Sequence, residues 1–386
     1  MLFIIGISSF DTMNNMFLVA LLFDTSVVCT NCCFIFYNSI RCKNTKKSPY
    51  TKKKLYFCNL QTQWDMYYII ATIAIIALEL LYFFAAKRFH IVDRPNERSS
   101  HHRVALLGAG IIFYLAVLFY SLTHGLAFHN FLIAITVLAV VSFVDDMHPL
   151  PSWLRLFTQL AAVLLTFWTD ISAIAPWQFV VLIVFFTGIL NVYNFMDGIN
   201  GMLAAYSLVV VGTFGYLDIF ENWFIDIEFI ATVMIAILVF GFFNFRTNAR
   251  CFSGDVGSIS MGLIVLYLLV RYVNSFPGSG LNVSRICFII VFLADGFLTI
   301  AKRFLAGRNI FAAHREHAYE TMVNDLHVPY LYVSAGYALL QLIINIGYIL
   351  VSDKNFYTIA VALILILAYG LFFFFGNRSG KIHPIQ

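Results

Sequence analysis

Apolar runs long enough to span a bilayer recur along the chain, separated by short polar stretches. After Met66 eleven such runs stand out, at residues 66–86, 104–123, 131–144, 154–168, 177–195, 201–220, 227–245, 259–273, 286–300, 330–351 and 356–375. Bilayer hydrocarbon offers no partner to a backbone N–H or C=O, so each run is predicted to be a helix that satisfies its own backbone. The expected fold is therefore all-α, a polytopic membrane bundle of about eleven transmembrane helices. No stretch between the runs is long enough for a separate soluble domain, so residues 66–386 read as one membrane-embedded domain.

Composition agrees with this reading. Of 386 residues 61% are hydrophobic and only 11% charged, too few to cover a soluble globule of this size. The placement of charge says more than the net value of +4. Eleven alternating spans create two sets of loops. One holds Lys87, Arg88, Arg94, Arg98, Arg155, Arg246, Arg250, Lys302, Arg303 and Arg315 among others, and the opposite set holds only Arg271, Arg285 and Lys354. The excess of basic residues marks the first set as cytoplasmic, which puts Met66 outside and Gln386 inside. Residues 1–65 fit poorly, because a basic tract around Lys52, Lys53 and Lys54 directly precedes an outside-starting helix. They are expected to be an extension outside the native protein, with Met66 as the true start, or else to add a helix within 16–37. Five of the seven cysteines, Cys29, Cys32, Cys33, Cys42 and Cys58, lie in that region, with neither paired CxxC spacing nor nearby histidines, so neither a zinc site nor a disulfide framework is expected.

Five polar constellations interrupt the apolar pattern, all in the loops expected on the cytoplasmic side. Arg98, Ser99, Ser100 and His101 cluster donors of different reach, suited to a phosphate or a sugar. Asp145 and Asp146 are adjacent carboxylates at a membrane boundary, where mutual repulsion and dehydration imply a cation, a proton role or a basic partner. Asn191, Asn194 and Asp197 recur every three residues and so share a helical face, and Gly198 lets backbone approach a ligand. Helix-to-helix hydrogen bonding is the plainer alternative for these three. In Gly254-Asp255-Val256-Gly257-Ser258 a carboxylate flanked by glycines opens a helix, an arrangement suited to a divalent cation and phosphate oxygens together. His314, Arg315 and His317 lie in the longest inner loop, and phosphate or nucleotide contact suits them better than a zinc site, since HxxH is not HExxH.

Taken in order, Asp145-Asp146, Asn194-Phe195-Met196-Asp197-Gly198, Gly254-Asp255-Val256-Gly257-Ser258 and His314-Arg315-Glu316-His317 resemble motifs of the polyprenyl-phosphate N-acetylhexosaminyl-1-phosphate transferases, glycosyltransferase family 4. Pro95-Asn96-Glu97-Arg98-Ser99-Ser100-His101 resembles the branch that primes bacterial surface polysaccharides such as the O-antigen. Leu107 departs from that branch, which usually carries a basic residue there; either Arg103 substitutes, or the nucleotide sugar is bound less well.

The resemblance implies a Mg²⁺- or Mn²⁺-dependent enzyme of the bacterial inner membrane. It would join a UDP-N-acetyl-hexosamine, or a 6-deoxy relative, to undecaprenyl phosphate and release UMP on the cytoplasmic side. It further assigns Asp255, with Asn194 or Asp197, to the metal, and Asp145 and Asp146 to positioning or deprotonating the lipid phosphate. Arg98, Ser100, His101, Asn191, Asn194, His314, Arg315 and His317 become the substrate-binding candidates, with Asp197 also catalytic. A phosphate monoester has a second pKa near ~6, so at neutral pH little general-base help is required of Asp145. A homodimer is compatible with the sequence, and nucleic acid is not an expected partner. The rival class is a secondary transporter with intramembrane carboxylates, but transporter sites usually lie near the midplane between repeated halves, whereas these motifs gather at one face.

Overall fold

The computed structural model describes residues 49–93, 104–171, 176–276, 282–309 and 315–378. The chain divides into two compact units, Met1–Tyr67 and Tyr68–Gln386. In the first, the described residues are the opening turns of helix α1 (Pro49–Phe89), whose membrane-spanning part is Met66–Phe89. The second unit is an all-α bundle in which β1 (Val92–Asp93) and β2 (Ala105–Leu106) are followed by α2 (Ile111–Thr123), α3 (His129–Met147), α4 (Ser152–Ile171), α5 (Pro176–Phe195), α6 (Met202–Phe220) and α7 (Ile227–Asn244). Then come α8 (Gly254–Asn274), a 3-10 segment (Val283–Ile289), α9 (Ile290–Leu305), α10 (Ala318–Asn324), α11 (Tyr330–Leu350) and α12 (Lys354–Arg378).

Each of the eleven expected runs carries a helix, and nine of the described helices are long and apolar enough to cross a membrane. The other two are α2, which has 13 residues, and α4, whose run is interrupted by Arg155, Thr158, Gln159 and Thr166. The second run starts later than its apolar pattern suggests, because Ala105 and Leu106 are strand: Val92 pairs with Leu106 and Asp93 with Ala105, antiparallel. Leu106 also exchanges backbone bonds with the segment before α8, donating to Arg250 O at 3.2 Å and accepting from Phe252 N–H at 2.7 Å. Ala109 and Gly110 continue the seam, donating to Phe252 O and Ser253 O at 2.9 and 3.1 Å.

Helix α8 is the axis of the bundle. In its most apolar stretch 89% of the residues are buried, against 11% in α12, so α8 meets protein on every side while α12 faces lipid. It packs against α2, α3, α5 and α6. In lipid there is little hydrophobic gain from bringing helices together, and close backbone packing must supply the attraction. Small residues permit it: a Cβ on Gly257 would lie 2.6 Å from the Cα of Gly110, and one on Gly262 would lie 3.1 Å from the Cβ of Tyr193. The first N–H groups of α9 lack helical partners. Gln341 Oε1 accepts from Val291 N–H at 3.0 Å and the Tyr206 hydroxyl from Phe292 N–H at 3.3 Å, which fixes the start of α9 against α11 and α6.

Candidate active site

The turn after α5, the end of α7, the start of α8 and the segment leading into α10 converge on a cavity of about 360 Å³, and Asp145 and Asp146, at the end of α3, are not in its wall. Asp93, Asn194, Asp197, Ser253, Asp255, Arg315, Glu320 and Tyr330 are in its wall. Polar groups dominate a lining drawn from a chain with very few of them, which suits this cavity to an ionic ligand.

Its organising element is the turn Ser253-Gly254-Asp255. Gly254 has φ +69°, a left-handed conformation that a side chain disfavours, and a Cβ there would run into the carboxylate of Asp146. That carboxylate accepts the N–H of Asp255 at 2.8 Å and of Val256 at 3.1 Å. Asp146, from the end of α3, thus occupies the positive N-terminus of α8. The sequence suits this helix start to a divalent cation and phosphate oxygens together, and two of its N–H groups are taken by the protein's own carboxylate. Asp145 turns the other way: it accepts from Leu150 N–H at 2.6 Å and pairs with Arg155 at 3.1 Å. Arg155 also lies 3.7 Å from Asp255, so one guanidinium joins the second and fourth polar motifs.

The α5 motif splits. Asn194 donates to Asp255 Oδ1 at 2.8 Å and to Ser258 Oγ at 3.1 Å. Asp197, in the turn past α5, accepts from the Ser253 hydroxyl. Burial raises the pKa of its carboxyl well above the ordinary value, opposed by that hydrogen bond and reinforced by the charges of Asp255 and Asp146. Asn191 lies outside the cavity wall and donates to Gln159 Oε1 at 2.7 Å and to Thr187 O at 2.9 Å.

In the inner loop, Arg315 is exposed and reaches the cavity wall, whereas His317 is buried, 3.5 Å from Asp295. Asp295, in α9, accepts from Ala318 N–H at 2.9 Å, Tyr319 N–H at 3.3 Å and the Tyr337 hydroxyl at 2.6 Å. Glu316, buried beside it, pairs with Arg303 and lies 3.2 Å from Arg308 and 3.9 Å from Lys302. These contacts anchor the loop so that Arg315 and Glu320 border the cavity. Burial pushes the Glu320 carboxyl up to about 7, partly offset by His317. The candidates Arg98, Ser100, His101 and His314 lie outside the described residues.

The donor set suits a hard divalent cation. Asp197 and Asp255 bring carboxylate oxygens into the cavity wall beside the amide of Asn194. Magnesium typically takes one or two carboxylates and completes its shell with water and substrate phosphates, so a closed protein cage is not needed.

Residues 128–273, from the end of the α2–α3 loop almost to the end of α8, match the family model described as Glycosyl transferase family 4. Over that stretch the chain is similar to the family. Proteins similar to this chain include an undecaprenyl-phosphate alpha-N-acetylglucosaminyl 1-phosphate transferase of Yersinia pestis, 24% identical over 77% of this chain and 89% of the relative. The protein of that name from Escherichia coli K12 is 24% identical over 78% of this chain and 89% of its own length. A Bacillus subtilis protein named as a probable undecaprenyl-phosphate N-acetylglucosaminyl 1-phosphate transferase is 22% identical over 66% and 76%.

Several residues of the site do not stand out in the sequence. Ser253, Glu320 and Asp93 line the cavity, Arg155 bridges two acidic motifs, and Asp295 and Glu316 hold the loop. Asp295 carried a usable signal, since an acid in an apolar run is costly and implies buried donors.

Proposed function

We propose that this multi-pass membrane protein transfers N-acetyl-hexosamine-1-phosphate, or a 6-deoxy relative, from a UDP-sugar to undecaprenyl phosphate. A lipid phosphate oxygen attacks the sugar-bearing β-phosphorus, the P–O bond to the uridine phosphate breaks, and UMP leaves, so that a lipid diphosphate sugar forms. The observation that carries this reading is the polar cavity at one end of the bundle, whose wall brings Asn194, Asp197 and Asp255 together with Arg315. The names of the relatives give the acceptor and the sugar class.

Both reactants are anions, so their approach requires positive charge and fixed orientation. Mg²⁺ or Mn²⁺, when bound, neutralises phosphate oxygens and the charge that develops on the leaving group. Asp255 and Asp197, with Asn194, are the residues that would hold it. Asn194 and Ser253 orient the two carboxylates through their hydrogen bonds. Asp146 holds the α8 turn that presents Asp255. Arg315 supplies a permanent charge to the nucleotide diphosphate, with His314 and the Arg98, Ser100 and His101 segment as further donor-side candidates. Asp145, with Arg155, is placed to position the lipid phosphate rather than to deprotonate it, because its oxygens already accept from Leu150 and Arg155. The concentration of basic residues in the loops on this side supports a cytoplasmic site in a bacterial inner membrane, and the product would begin a surface polysaccharide.

The test is incubation of the purified protein with undecaprenyl phosphate, Mg²⁺ and a panel of UDP-N-acetyl-sugars, scoring UMP. Release of UMP that depends on both the lipid and one of the sugars is expected. Folded protein that releases none with any sugar rejects the proposal.

A further inference from the structure

At the bundle end opposite the cavity, three side chains from two helices aim at one point. His124 follows the last turn of α2, Asp226 precedes α7, and Glu228 lies in its first turn. Their ligand atoms all lie within 4.8 Å of one another, and this is the one such group of three among the described residues. The location follows from the helices themselves: α2 begins at the cavity seam, where Gly110 bonds to Ser253, and α7 ends at Asn244 in the cavity wall. Thirteen residues of α2 put His124 about 20 Å from that seam.

The imidazole is held in one orientation. Its Nδ1 sits 2.9 Å from the carbonyl of Tyr120, which can only accept, so the proton belongs on Nδ1. The ring stacks on Tyr120 with centroids 4.1 Å apart. Nε2 faces Glu228 Oε2 at 2.7 Å and Asp226 Oδ2 at 3.9 Å. Asp226 is itself fixed, by the Tyr120 hydroxyl at 2.8 Å on one oxygen and the Glu228 N–H at 3.0 Å on the other. A His124 protonated on Nδ1 alone would turn a lone pair toward two carboxylates, an arrangement relieved by a divalent cation between them or by a second proton on Nε2.

We propose that His124, Asp226 and Glu228 form a second metal site, for a borderline divalent transition ion of the zinc class, on the membrane face opposite the cavity. Mixed nitrogen and oxygen ligands select such an ion over Mg²⁺ or Ca²⁺, which prefer oxygen alone. The histidine N–H bonded to a backbone carbonyl is the usual outer support of a metal-bound imidazole. Three protein ligands leave a fourth position for water, and the 40% exposure of the Asp226 side chain gives that water a way in. The ion ties the end of α2 to the start of α7. The rival is a protonated His124 paired with Glu228, which needs no metal.

The test uses the full chain in detergent, stripped with chelator, loaded with Zn²⁺ and passed over a desalting column. Retained zinc of about one ion per chain is expected in the wild type and in Asp255→Asn, which disables the cavity carboxylate, and close to none in His124→Gln and Glu228→Gln. Zinc should also raise the unfolding temperature of the wild type and not that of His124→Gln. No retained zinc in the wild type, or equal retention in His124→Gln, overturns the proposal and leaves the ion pair. If the variants do not fold, X-ray absorption of zinc-loaded wild type decides: an imidazole in a nitrogen and oxygen shell is expected, and a shell without imidazole overturns the assignment.

Discussion

The carboxylate of Asp146 accepts the backbone N–H of Asp255 at 2.8 Å, joining two acidic motifs 109 residues apart in the chain. It makes the start of α8 a preformed turn: Asp146 fills the space beside Gly254 and leaves the Asp255 side chain to face the cavity. Asp146→Asn loses the charge that complements the helix N-terminus, at a cost of roughly 1 kcal/mol in stability. A mispositioned Asp255 costs more in rate, and kcat is expected to fall by about 100-fold. Gly254→Ala should act in the same direction, through strain of about 1–2 kcal/mol and the clash with Asp146. Steady-state kinetics and thermal unfolding of both variants check this; near-normal kcat in either would show that the turn does not position Asp255.

Glu320 borders the cavity, and burial sets its pKa at about 7. Below that pH the side chain is neutral, and above it a negative charge faces the nucleotide diphosphate. KM for the UDP-sugar should therefore rise as pH goes from about 6 to about 8. Glu320→Gln should flatten that rise. The sign for stability is the same: a carboxyl whose pKa is raised on folding contributes stability that is full below its unfolded pKa and is lost as pH rises toward 7. Identical KM profiles for wild type and variant would remove Glu320 from donor recognition.

Asp295 is not itself in the cavity wall, yet it accepts from Ala318, Tyr319 and Tyr337. Asp295→Asn should free the loop that carries Arg315 and raise KM for the UDP-sugar about tenfold or more, while KM for the lipid phosphate changes little. A parallel loss for both substrates would indicate general unfolding instead of loop placement.

The helices were legible because a membrane demands long apolar runs, and a carboxylate or amide within or just beyond such a run, as at Asn194, Asp197 or Asp255, stands out at once. The strand pairing was not. Val104-Ala105-Leu106-Leu107 resembles the start of a span, and only contact with Val92-Asp93 and the Cys251 segment makes Ala105 and Leu106 strand. Partnerships across long separations were equally hidden: nothing local tells Asp146 to cap α8, or Arg155 to bridge Asp145 and Asp255. Asn191 illustrates the limit of periodicity, since it shares the spacing of Asn194 and Asp197 but is spent on Gln159.

The most direct measurement follows the two phosphorus atoms of the donor. UDP-N-acetyl-hexosamine labelled at the β-phosphate, incubated with the protein, undecaprenyl phosphate and Mg²⁺, should pass its label into the lipid phase, while donor labelled at the α-phosphate should yield labelled UMP in water. β-label that stays in the aqueous phase with folded protein and a competent sugar would contradict phospho-sugar transfer.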